Sequence, residues 1–147
     1  MTLTEFLLAR IAEDEAVALA ASDSPWRTEG SKYVSGAYII SRGGGSVSHA
    51  TEVTTPDAEH IVRHDPARVL AECEAKRRIV ELHAPVIPVS PFSKCGHPGC
   101  DQSHSEKRLP PACPTCPTSD VDGACETLYT LAIPYVDHPD YRDEWRP

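Results

Sequence analysis

The chain has 147 residues, enough to bury one hydrophobic core, and sets 14 Lys plus Arg against 22 Asp plus Glu for a formal charge of -8. That balance opposes non-specific attraction to phosphate backbones, so nucleic acid is the less favoured partner. Acids interrupt the apolar stretch of MTLTEFLLARIAEDE and no basic leader precedes it, which predicts neither a signal peptide nor a membrane span and points to the cytoplasm.

Thr2 and Glu5 have the spacing of a capping box, and Leu3, Leu7, Leu8, Ile11 and Ala18 follow at helical intervals. They predict a helix over about residues 3–20. After the turn residues of SDSPW, the runs YVSGAYII (33–40) and SVSHATEV (46–53) flank a GGG break. Their β-branched and alternating residues predict a hairpin with Trp26 near its base. Thr55 then reads as an N-cap with Pro56 as the first helical residue, and Asp65 with Pro66 repeats the device. Two helices should meet at a bend near His64. On the longer one Val69, Cys73 and Val80 share a face, with Cys73 a small core residue, while Glu72 with Lys76 and Glu74 with Arg78 read as exposed pairs. From Pro85 onward prolines, glycines and short polar residues predict neither helix nor long strand as far as Cys125. Leu128, Leu131, Ala132 and Tyr135 trace a last short helix, and DHPDYRDEWRP closes the chain as a turn with an aromatic anchor.

Five of the six cysteines lie between 95 and 125. A long loop with little apolar surface needs something to offset its ordering entropy of about 1–2 kcal/mol per residue, and a metal would supply it. In a reducing compartment clustered thiols are metal ligands rather than disulfides. Structural zinc takes four tetrahedral ligands, usually as two short-spaced pairs. Cys113-Pro-Thr-Cys116 is one such pair and Cys95-Gly-His-Pro-Gly-Cys100 a second, which makes the four-cysteine set the first reading. Cys125 opens the alternative of Cys113, Cys116 and Cys125 with a fourth ligand from Cys100, His104 or His83. Pro117 removes a backbone N–H that a regular knuckle would offer to a thiolate. A redox role for CPTC fits less well, since no helix opens after it.

Other motifs carry weaker chemistry. His60 and His64 have the spacing of a hydrolytic zinc helix, yet Ile61 stands where such helices carry the general base. SRGGGS lacks the lysine-serine ending of a phosphate loop, and the KRR run at 76–78 sits among glutamates as a solvated face. Asp137, His138 and Asp140 have no placed nucleophile and read as a capping and turn element.

Two stretches, HIVRHDPARVLAECEAKRRIVELH at 60–83 and CETLYTLAIPYVDHPDYRDEWRP at 125–147, resemble a family of small actinobacterial and actinophage proteins of unknown function. FLLARIAEDE and SPWR are similar to that family's N-termini. The resemblance implies an intracellular bacterial or phage setting and no assigned activity. It also implies a ligand set built on a CxxC pair like 113–116 and a cysteine like Cys125, with the loop before them variable.

The expectation is therefore one α+β domain, 1–147, mainly helical, with a β-hairpin and a zinc-bearing loop at 85–125 as a satellite. The expected zinc is structural, held from among Cys95, Cys100, Cys113, Cys116 and Cys125. The function expected is a non-enzymatic binding or adaptor protein whose partner is another protein and not a membrane. The rival readings are a metal-dependent enzyme using His60 and His64, and a nucleic-acid binder using the zinc loop.

Overall fold

The computed structural model describes residues 1–30, 37–47, 53–88, 109–117 and 119–146. Within them the fold is α+β, with helices α1 (Leu3–Ala20), α2 (Thr55–Arg63), α3 (Pro66–His83) and α4 (Glu126–Ala132) and strands β1 (Arg27–Gly30) and β2 (Ala37–Ile40). No described helix is long and apolar enough to cross a membrane. The chain divides into two compact units, one of Ala9–Arg77 and the other of Met1–Leu8 with Arg78–Pro147.

The start of α1 is fixed by reciprocal capping. The Thr2 hydroxyl accepts from Glu5 N–H at 3.2 Å, and Glu5 Oε2 accepts from Thr2 N–H at 2.8 Å, which holds the exposed Glu5 carboxyl below its ordinary pKa. Helix α2 begins one residue earlier than expected, because Thr54 is the cap and accepts from Asp57 N–H. Pro56 then falls at the second helical position, where a missing N–H still costs nothing. Asp65 caps α3 through Arg68 N–H at 3.0 Å.

In the Ala9–Arg77 unit β2 has a ladder partner besides the 46–53 run expected to pair with it. The ladder partner of β2 is RTEG, with Arg27 opposite Ile40 and Gly30 opposite Ala37. Every residue of β1 is exposed, so it carries no alternating apolar signal. Among its described residues the 46–53 run also meets β2, through an Ile40–Ser46 bridge, Val47 N–H to Ile39 carbonyl at 2.8 Å, and Ala37 N–H to Val53 carbonyl at 3.2 Å. Ala37 and Ile39 point into a small core with Ala58, flanked by Trp26, Val47, Val53 and Val62. Trp26 is held by its indole N–H on Ser22 carbonyl at 3.0 Å. Residues 31–36 and 48–52, which carry the rest of the two runs, lie outside the described residues.

Ion pairs on α3 also differ from the expected ones. Glu72 pairs with Arg68 at 2.7 Å, with Lys76 a weaker electrostatic neighbour, and Glu74 meets Arg77, which also bonds Glu15 at 2.7 Å. Exposed pairs of this kind contribute only a few tenths of a kcal/mol, so sequence spacing selects poorly among them. Cys73 is buried as expected, and burial, with Asp14 beside it, pushes its thiol pKa up.

The other unit is organised around Phe6, which is fully buried. Its ring meets those of Trp145 at 5.0 Å, His138 and Tyr141 at 5.8 Å and Tyr135 at 6.3 Å. The C-terminal aromatic anchor is thus a cage closing on the first turn of α1, worth about 1.5–3 kcal/mol for burial of the Phe6 ring alone. Leu3, Leu7, Leu128 and Ala132 add to the same unit's buried residues. Among its described residues, the 85–125 segment forms no helix. Its described limbs pair where Val86 and Ala112 exchange two backbone hydrogen bonds of 2.9 Å and where Leu109 N–H meets Pro88 carbonyl at 3.3 Å.

Candidate metal centre

Four ligand-bearing residues converge in the Phe6 unit. His83 is the last residue of α3, Cys113 and Cys116 lie on the returning limb of the Val86–Ala112 pairing, and Cys125 caps α4. His83 Nδ1 stands 3.5 Å from Cys113 Sγ and 3.4 Å from both Cys116 Sγ and Cys125 Sγ. All four ligand atoms lie within 4.8 Å of one another. Metal–sulfur bonds of about 2.3 Å and a metal–nitrogen bond of about 2.0–2.1 Å, set tetrahedrally, give an N···S edge of about 3.5 Å. The cluster has the dimensions of a shell that can hold one metal ion.

Each ligand is fixed by its own local structure. Thr115, between the paired cysteines, donates its hydroxyl to Leu82 carbonyl at 2.6 Å, which satisfies an orphan carbonyl at the end of α3 and ties the CPTC turn beside His83. Cys116 N–H points at Cys113 Sγ at 3.3 Å, so the turn supplies a backbone donor to that sulfur although Pro117 cannot. Cys125 is placed by the turn before it. Asp120 Oδ1 accepts from Asp122 N–H and Ala124 N–H at 2.9 and 2.8 Å, its backbone N–H bonds Ala124 carbonyl, and its Oδ2 takes the Tyr129 hydroxyl. Burial first, and then Asp120, push the Tyr129 phenol up to about 12.

Gly123 closes that turn at φ +83. A Cβ there would meet Pro85 Cβ at 2.7 Å and the Pro111 carbonyl carbon at 2.8 Å, both in the limbs that carry the cluster. Gly123→Ala should therefore combine backbone strain with a clash that no flexible side chain can relieve. The expected loss is about 2–4 kcal/mol, read as a lower denaturant midpoint, together with weaker metal binding. A variant as stable as the native chain would show that the turn moves freely.

The thiols are not equivalent. Cys113 is 5% exposed and Cys125 1%, while Cys116 is half-buried and borders a groove of about 520 Å³ with Ile79, Pro117 and Leu131. Burial opposes ionisation of Cys125, but Leu128 N–H, the Cys113 and Cys116 thiols and His83 bring its pKa down to about 7. At Cys116 burial and the neighbouring cysteines raise it.

Of the residues singled out in the sequence, Cys113, Cys116 and Cys125 come together, and His83, one of the alternatives for fourth ligand, joins them. Cys95 and Cys100, with His97 and His104, lie outside the described residues. His60 and His64 meet with ring centroids 4.7 Å apart and planes tilted by 55° in the Ala9–Arg77 unit, and among the described residues no third His, Cys, Asp or Glu joins them in a metal-sized group. His138 belongs to the Phe6 cage, where its Nδ1 accepts from Asp140 N–H at 3.1 Å, consistent with a turn element.

The chain is thus an α+β protein in which one imidazole and three thiols lie close enough together that they could hold a metal ion. Along its whole length, residues 1–147, it matches and belongs to a family of unknown function, DUF6221. No curated protein and no solved structure matches it.

Proposed function

We propose that the cluster is a structural zinc site and that the protein is a non-enzymatic binding or adaptor protein. The observation that carries this reading is the completeness of the donor set: three thiols and one imidazole, all within 4.8 Å, already supply four ligands. Soft sulfur and imidazole donors in a tetrahedral group of four suit zinc, and four protein ligands leave no position for the water that a catalytic zinc requires. The reading sets the protein in a reducing cytoplasm, where free thiols persist as ligands. Resemblance to actinobacterial and actinophage proteins supports an intracellular bacterial or phage setting. The net charge of -8 favours another protein as partner over a phosphate backbone.

Protein purified reduced and without chelator is expected to carry about one zinc per chain, with an absorption-edge spectrum fitted by three sulfurs and one nitrogen. Absence of zinc in elemental analysis would sink the reading. A shell containing a bound water would move the protein to the metal-dependent enzymes.

A further inference from the structure

We propose that Cys116 is the oxidant-accessible edge of this centre, and that its two-electron oxidation by a hydroperoxide releases the metal. The inference rests on the structural-zinc reading and adds to it a point of regulation. Its basis is an asymmetry among three thiols that share one ion. Cys113 and Cys125 are shielded from solvent, whereas Cys116 is half-buried and its side of the cluster opens on the groove lined by Ile79, Pro117, Thr127, Thr130 and Leu131. At about 520 Å³ the groove has ample room for a small peroxide. Thr127 Oγ1 stands 3.9 Å from Cys116 Sγ, a hydroxyl beside the sulfur on the open side of the cluster. Metal-bound thiolates remain nucleophiles, and selectivity among them follows thiolate character and access.

The chemistry balances within the cluster. Cys116 sulfur attacks one peroxide oxygen, the O–O bond breaks, and an S–O bond forms. For hydrogen peroxide the leaving hydroxide takes a proton and becomes water, and the sulfur, oxidised by two electrons, is now a sulfenic acid. A neighbouring thiolate, Cys113 or Cys125, attacks that sulfur, an S–S bond forms, and the second hydroxide leaves as water after taking a proton. Two thiolates, one peroxide and two protons give one disulfide and two waters. The zinc stays divalent, loses two of four ligands and passes to solvent. Mutual separations under 4.8 Å let either partner reach Cys116 with little movement of the chain.

The test uses the full chain, reduced and purified without chelator. Zinc content is read first, and hydrogen peroxide is then added in sub-stoichiometric steps with a chromogenic chelator present. Peptide-resolved differential alkylation follows each step. The expected result is one equivalent of zinc released per disulfide formed, with Cys116 in that disulfide, Cys73 still reduced, and zinc uptake restored by a thiol reductant. Retention of zinc while peroxide is consumed overturns the inference. So does oxidation of Cys113, Cys125 or the 95–100 pair ahead of Cys116. A chain that carries no zinc before peroxide is added fails differently, by removing the structural-zinc reading itself.

Discussion

Replacing His83 with Ala, or any one of Cys113, Cys116 and Cys125 with Ser, should strip the protein of its zinc, while Cys95→Ser combined with Cys100→Ser leaves about one zinc per chain. Each of the four residues supplies one ligand atom to a shell with no spare donor among the described residues. Deleting a group that merely hydrogen-bonds a ligand costs roughly 10–100-fold in metal affinity, and removal of a ligand itself should exceed that. His60→Ala with His64→Ala serves as the counterpart, because the pair lies in the other unit and should leave zinc content unchanged. Zinc content per chain after gel filtration reads all of these together. Loss of zinc in the Cys95/Cys100 variant with retention in His83→Ala would return the centre to the four-cysteine set.

Chelation has the second large expected effect. Zinc-thiolate sites contribute about 10 kcal/mol or more of binding free energy at neutral pH, and where the site orders a segment that energy becomes folding energy. The limbs at 85–88 and 109–125 are joined by the Val86–Ala112 pair, the 3.3 Å bond from Leu109 N–H to Pro88 carbonyl, and the Thr115–Leu82 bond. Val86, Ile87 and Leu109 are each more than 40% exposed, so apolar burial offers those limbs little. Removing the metal should speed hydrogen exchange in peptides covering 109–125. Peptides from α2 and from Ala9 to Ala20 should keep their protection, because both lie in the Ala9–Arg77 unit, which holds none of the four residues, and α2 packs on its core of Ala37 and Ile39 through Ala58. Exchange that accelerates everywhere would make the metal part of the whole fold. Exchange that changes nowhere would show that the cluster organises nothing.

The helices were legible because the signals that define them are local. A capping box at Thr2 and Glu5, an Asp-Pro start at 65–66 and apolar residues on one face act within a few residues, and α1 and α3 occupy the expected spans. The CxxC pair was legible for the same reason, since one tight turn carries both thiols. The strand partner was not. RTEG is exposed throughout and has no alternation, so only the closed chain shows that it pairs with β2, which the described ends of the more strand-like 46–53 run also reach.

The fourth ligand marks the same boundary. Nothing near His83 in the sequence assigns it to a cluster whose first cysteine is 30 residues away, and by sequence it is only one of three alternatives to a second cysteine pair. The tertiary structure places it there by backbone closure, the Val86–Ala112 pairing that folds the returning limb beside the end of α3, and by the Asp120 turn with Gly123 that brings in Cys125. By itself the sequence determined which side chains could bind a metal and which segments would be helical, because residue chemistry and short-range propensity are properties of the chain. Only the tertiary structure decided which imidazole meets which thiols, because that depends on contacts between residues far apart in sequence, whose selection has no local signature.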